Sequence, residues 1–363
     1  MKKILSFVLV LLVVFSALPA LADYFSVPSN VYSPELAQQA LTIAEGFAVP
    51  AMQQGVLLAQ GYKRVGIYNL SRPEGDARHV AAYAVFVKNG ARDQVILAVR
   101  YTGDGEWPLN MELMPGGDYE ANIAENFHLA AQDILDTQAA LLDGLKNPLF
   151  LVTGHSRGAA VANILGAKLT DRFGAENVYA YTFATPRTVR GEYPSYDNIF
   201  NVINPCDMVP MLPLEAWGFE RYGIDRVLPV DTADEALIQA ARDAYDQRTD
   251  KIGEFMVWGD GGQAVREMIN ACETLMPTVA DSYARRHAID HPGLAAEGEA
   301  GVTGSELLLT MFTSGDMAAL TASENDFAPL LQAMLALSAR PDAGALTANH
   351  MPGVYGAWMT VAD

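Results

Sequence analysis

The stretch Asn147 to Phe173, NPLFLVTGHSRGAAVANILGAKLTDRF, constrains this chain more than any other. Leu149-Phe150-Leu151-Val152 is an apolar run that reads as a buried strand, and Ala160, Ile164, Leu165 and Leu169 follow at helical spacing. Between them lies Gly154-His155-Ser156-Arg157-Gly158, a G-x-S-x-G. A strand that turns sharply into a helix at a serine lifts the serine oxygen out of the sheet into reach of solvent. Such a turn is sterically crowded, and glycines two residues to either side relieve it. The alternative is a glycine-bearing strand-to-helix turn with no chemistry.

The surrounding pattern fits a sheet that such a turn belongs to. Residues 34 to 49 read as a helix. Tyr62 to Asn69, Val80 to Val87 and Gln94 to Tyr101 read as extended runs, and Asn89-Gly90 suggests a hairpin between the second and third. Residues 103 to 118 look like a loop, and 119 to 144 have helical periodicity. Val178 to Phe183 and Ile199 to Ile203 are further strands, the second being the last clear one. From 215 to 345 helical stretches dominate, at 233 to 247, 262 to 285 and 305 to 339, and no strand is evident there. Strands interleaved with helices, then a helical block, predict an α/β-hydrolase-type sheet with flanking helices and a large helical insertion, or cap, over 215–345.

The first residues read as a targeting segment. Lys2 and Lys3 precede an apolar run from Ile4 to Phe15, and Ala20-Leu21-Ala22 offers a small-x-small cleavage site. Cleavage after Ala22 and export are expected, leaving 23–363 as a single domain; a retained anchor is the other reading. The run is short for a membrane span, and no other stretch is long and apolar enough, so no transmembrane anchor is expected after cleavage. A formal net charge of −19 argues against nucleic acid and anionic membrane surfaces as partners. The only cysteines are Cys206 and Cys272. Export permits a disulfide between them, and two buried thiols are the other reading. No His or Cys spacing suits a metal, and neither a metal nor an organic cofactor is expected.

A serine hydroxyl is a poor nucleophile near neutral pH. It needs a histidine to take its proton, a carboxylate to orient that histidine, and donors aimed at the developing oxyanion. On sheets of this type the order is nucleophile, acid, histidine. Asp207 follows the strand Ile199 to Ile203 closely and is the candidate acid; an Asx-type turn residue is its structural alternative. Among the later histidines, His287 and His291 sit at a polar helix end, where cationic groups are ordinary. His350, in the turn-like Asn349-His350-Met351-Pro352-Gly353, is the candidate base. The amide of Arg157 and a donor after the strand Val95 to Tyr101, namely Thr102, would make the oxyanion hole. His128 reads as structural, and the role of His155 is not readable.

Four motifs together resemble the class 3 lipases. Gly154 to Ala160 looks like the family's GHSRGGA elbow. Arg100-Tyr101-Thr102 with Glu106-Trp107 and Asn110 looks like its RGT…W..N segment. Asn204 to Pro213 is similar to N..D.VP.LP, and His350 with Tyr355 and Trp358 resembles H….Y..W. The resemblance implies a secreted serine ester hydrolase with a triad of Ser156, Asp207 and His350, acting through an acyl-enzyme. It implies acylglycerol esters as substrates, met at a lipid–water interface. Phospholipase A1 and soluble carboxylesterase are the neighbouring alternatives, and a catalytically silent hydrolase-like binding protein is the remote one. Two departures stand out: Tyr101 occupies the family's glycine position, and the stretch between Leu214 and His350 is long. A lid over the serine is also implied, and Leu109 to Tyr119, apolar with Gly116-Gly117, is the candidate beside the helical block.

Overall fold

Strands buried on both faces are predominantly apolar, and the central strands of this chain follow that pattern. Leu149–His155 and Val178–Phe183 are buried at every residue. They form the centre of the sheet in the computed structural model, which describes residues 23–46, 50–70, 81–101, 125–232, 234–248, 251, 254–287 and 336–362. The seven-stranded sheet uses β1 (Lys63–Leu70), β2 (Ala81–Lys88), β3 (Gln94–Val99), β4 (Leu149–His155), β5 (Val178–Phe183), β7 (Ile199–Ile203) and β9 (Ile224–Val227), in the order β1-β2-β3-β4-β5-β7-β9. The β2 strand runs antiparallel to its neighbours β1 and β3, and β3, β4, β5, β7 and β9 are parallel. Short β6 (Val189–Arg190) and β8 (Phe219–Glu220) pair separately. The predicted hairpin at Asn89-Gly90 is present, with Lys88 opposite Gln94.

Helices cover both faces, as parallel strands require. On one side α3 (Glu125–Thr137) and α5 (Arg157–Phe173) pack with α4 (Ala139–Gly144) near them. On the other lie α1 (Pro34–Glu45) and the C-terminal α9 (Pro352–Val361), joined by α6 (Glu235–Gln247) and α7 (Gln263–His287). The α1 helix starts where its sequence directs. The Ser33 side chain accepts from the Leu36 N–H and Pro34 sits in the first turn, while Leu36, Ala37, Ala40, Leu41 and Ala44 face the sheet. Asp234 caps α6 by accepting from Ala236 and Leu237.

Three expectations change. The stretch 215–345 contains two strands after all: short β8 pairs with β6, and β9 extends the main sheet, with Phe200 opposite Ile224 and Ile203 opposite Val227. The β9 strand is the one that lies at the sheet edge. Its four residues, Ile-Asp-Arg-Val, are all exposed, so an edge strand carried no apolar run to betray it. The helical run predicted over 119 to 144 is two helices, α3 and α4, broken at Gln138. There the buried amide donates to the Tyr83 hydroxyl at 2.9 Å. A further helix, α2 (Pro50–Ala59), was not anticipated, because its apolar residues are scattered around a glycine. The helix predicted at 305–339 lies outside the described residues up to 335, and 336–338 are helical.

One ion pair ties the two ends of this layer together. Arg248, just after α6, meets Glu45 at the end of α1 at 3.2 Å, with the carboxylate side chain only 3% exposed. Removing one member of a buried pair leaves a desolvated charge behind, at a cost of about 3–5 kcal/mol. Arg248→Met is therefore expected to lower the unfolding free energy by about 3 kcal/mol in urea titration. An unchanged midpoint would show the pair to be dispensable.

Candidate active site

The elbow is built by backbone proximity. A Cβ on Gly154 would lie 2.3 Å from the Gly158 carbonyl oxygen, and one on Gly158 would lie 2.4 Å from the Val99 oxygen. Both positions therefore exclude any side chain, and Ser156 between them takes φ 58° and ψ −129°, a left-handed conformation unusual for a non-glycine residue. Its amide donates to the Phe183 carbonyl at 2.9 Å, pinning the turn to the end of β5. Arg157 opens α5, so its amide belongs to the first helical turn, whose N–H groups point out of the helix end. Its side chain is buried, with the guanidinium 5.4 Å from the centre of the Phe127 ring.

Asp207 lies just beyond β7 and is almost wholly buried. Its Oδ1 accepts from the Val209 N–H at 2.9 Å, the Asx-type turn that was its structural alternative. The turn leaves Oδ2 free to face the histidine, so the two readings of this aspartate coexist. Two arginines hold the chain behind it. Arg221 donates to the Pro210 carbonyl and meets Asp225 at 2.8 Å, while Arg187 donates to the carbonyls of Met211 and Pro213.

His350 sits in the turn between α8 (Ala345–Ala348) and α9. Its Nδ1 is 2.8 Å from Asp207 Oδ2, and its Nε2 is 3.0 Å from Ser156 Oγ. Residues at positions 156, 207 and 350 thus form one continuous chain of hydrogen bonds, with the histidine between the other two. His287 is the last residue of α7. Thr102 lies outside the described residues, as do Glu106, Trp107, Asn110 and the segment Leu109 to Tyr119. Tyr101 is described and is 37% exposed. Cys206 carries a free, buried thiol, pushed up to about 12 by burial and by Asp231 beside it; the Cys272 side chain is outside the described residues.

Several contributors were not read from sequence. The Tyr355 hydroxyl donates to Asp207 Oδ2 at 2.8 Å, so that oxygen receives both the phenol and His350. Burial, then the adjacent Asp207 carboxylate, hold the phenol well above its ordinary value, and it remains a donor. Asn204 donates through its side-chain amide to the Asn349 carbonyl at 2.9 Å, joining the loop of the aspartate directly to that of the histidine. The Trp258 indole donates to the Cys206 carbonyl at 3.3 Å, so the loop before α7 supports the aspartate from outside the sheet. Asn204 and Tyr355 were visible only as letters in a motif; their partners lie about 150 residues away in sequence.

Residues 98–217, about a third of the chain, match the family described as Lipase (class 3). Among solved structures, a triacylglycerol lipase described as having a serine protease triad at its catalytic centre aligns at 17% identity and TM-score 0.45, over 55% of this chain and 82% of that one. A lipase from Rhizopus microsporus var. chinensis gives 18% and 0.43, over 55% and 75% respectively. The triacylglyceride lipase of Rhizomucor miehei gives 16% and 0.42, over 53% and 79%. The sheet order, the serine turn and the matched segment define a carboxylic ester hydrolase of the α/β-hydrolase type. The matched segment, running from the end of β3 through the elbow to the acid loop, is of the class 3 lipase type.

The phenol of Tyr355 gives this arrangement a direct test. A hydrogen bond to a charged group contributes about 1.5–3 kcal/mol, and its loss frees one side of Asp207. Tyr355→Phe is expected to reduce ester turnover by about 10-fold while the thermal midpoint moves by only a few degrees. Turnover equal to that of the unchanged protein would mean the aspartate is held without it.

Proposed function

We propose that this chain is a secreted lipase that hydrolyses acylglycerol esters through an acyl-enzyme. The hydrogen-bond chain from Ser156 Oγ through His350 to Asp207, at 3.0 and 2.8 Å, is the observation that supports the reading most. In this mechanism His350 Nε2 takes the Ser156 proton as the oxygen attacks the ester carbonyl. The imidazolium is stabilised by Asp207, and the proton passes to the departing alcohol. Water then attacks the acyl-serine with His350 again as base, releasing the fatty acid. The Arg157 amide and Thr102 hold the oxyanion in both steps.

Export follows from the basic, apolar and small-residue pattern of residues 1–22, which lie outside the described residues. The mature enzyme we propose begins at Asp23 and runs as one domain to residue 363. The helical insertion starts after β9, and cover over the serine comes from Leu109 to Tyr119 or from the insertion. Among the described residues no helix is long and apolar enough to cross a membrane.

Substrate preference is tested by comparing an emulsified long-chain triacylglycerol with a monomeric short-chain p-nitrophenyl ester. The emulsion is expected to be turned over, and Ser156→Ala to lose at least about 10⁴-fold on both substrates. Hydrolysis of the monomeric ester alone would favour a soluble carboxylesterase, and release of the sn-1 chain from phospholipid alone a phospholipase A1. No turnover of any ester would sink the reading.

A further inference from the structure

Arg221 is a buried cation that the mechanism above does not use, only 8% exposed. Its two terminal nitrogens serve different partners: one meets Asp225 Oδ2 at 2.8 Å, and the other donates to the Pro210 carbonyl. Asp225 carries the link into the sheet, because its Oδ1 accepts from the Asn201 side chain at 3.1 Å. Asn201 is the middle residue of β7 and fully buried, a position where an apolar side chain is the ordinary choice. Its Oδ1 accepts from Asn163 Nδ2 at 2.9 Å and from the Thr182 hydroxyl at 2.7 Å, and its Nδ2 also donates to the Tyr222 carbonyl at 2.9 Å. Asn163 lies on α5, the helix that begins directly after Ser156. Its remaining positions are taken by the Thr188 hydroxyl and by both backbone groups of Tyr222. Both amides therefore use every donor and acceptor they carry.

We propose, resting on the reading of Ser156, His350 and Asp207 given above, that Asn163, Asn201, Asp225 and Arg221 form a buried strut setting the acid against the nucleophile, with Arg221 the positioning residue at the acid end. Asp207 owes its orientation to the turn that follows it. The Val209 N–H donates to Oδ1, which leaves Oδ2 directed at His350. That turn is the short 3₁₀ stretch Val209–Met211, closed by bonds from Met211 to the Met208 carbonyl at 3.0 Å and from Leu212 to the Val209 carbonyl at 3.1 Å. Its middle residue is Pro210, which has no N–H, so the carbonyl that Arg221 grips is the one backbone hydrogen-bonding group that residue offers. A shift of the turn would carry the Val209 amide with it, and so the carboxylate. The planar guanidinium spans a carboxylate and a carbonyl at fixed spacing, which a lysine does not. A fully satisfied buried network has one arrangement, so the turn is referenced to α5 and through it to Ser156. Cohesion alone would not require this chain of polar groups, since apolar side chains of similar volume often hold such an interface equally well.

Arg221→Met removes both contacts at similar length and leaves Asp225 hydrated, since that side chain is 43% exposed. Arg187 still holds the carbonyls of Met211 and Pro213 farther along the segment. With a soluble p-nitrophenyl ester, Arg221→Met is expected to lose at least about 10-fold in kcat with KM within about twofold. The same change is then made in Asp207→Ala, whose residual turnover is read at raised protein concentration. There it is expected to cost no more than about twofold, because the group it orients is gone. A smaller loss in the single variant, or one carried by KM, overturns the proposal. A comparable loss in both backgrounds would make Arg221 a general support of the fold and overturns it as well. Should Arg221→Met fail to fold, Asp225→Asn cuts the strut one step back on the exposed edge strand. A kcat loss of at least about threefold that disappears in Asp207→Ala supports the strut, and a smaller loss, or an equal one in both backgrounds, overturns it. Failure of the underlying reading looks different. The unaltered protein would then turn over no ester, or Ser156→Ala would match it, and the positioning role would fall with that reading.

Discussion

The approach of β3, β4 and the first turn of α5 to within backbone contact is the constraint on which the rest depends. The Gly158 α-carbon packs against the carbonyls of Val99 and Arg100, and Gly154 packs against Gly158. This proximity forces the chain to reverse at one residue, and that residue is Ser156, held at positive φ. The local strain is offset by what surrounds it. The β4 strand is buried at every position, and α5 buries twelve of its residues between the sheet and α3. An over-determined core can hold a conformation that an isolated turn would abandon.

The other two members of the hydrogen-bond chain arrive by different routes. Asp207 is delivered by β7, next but one to the serine strand, and steadied by its own turn and by Arg187 and Arg221 behind it. His350 arrives only after the long helical stretch, at the end of the chain. Its placement relies on contacts that reach back: Asn204 to Asn349, the His155 ring beside its own, and α9 packed on α1 and α6. Arg340 contributes by pairing with Asp260 and Asp342 and lying over the Trp258 ring, which itself bonds to the carbonyl of Cys206. The insertion thus does more than lengthen the chain, because its described part forms the outer wall of the aspartate and histidine loops.

How much of this could be read beforehand depended on how local each signal was. The strands Val178–Phe183 and Ile199–Ile203 were delimited to the residue, since burial on both faces favours predominantly apolar runs, broken here only by Thr182 and Asn201. Ser156, Asp207 and His350 stood out because each sits at a strand end or turn with its own residue pattern, and the structure brings the three together. The β9 strand did not stand out, because an exposed edge needs no apolar periodicity. Tyr355, Asn204 and His155 have neighbours fixed by tertiary folding alone, and no spacing rule connects residues so far apart.

The central claim is that Ser156 is an activated nucleophile and not a buried turn residue. A fluorophosphonate tests it directly, because it phosphonylates an activated serine oxygen and leaves ordinary hydroxyls untouched. The expected result is one adduct per chain, mapped to the peptide containing Ser156, with labelling strongly slowed in His350→Ala and unaffected in His287→Ala. A folded protein that takes up no label, or that carries it on another residue, would contradict the assignment.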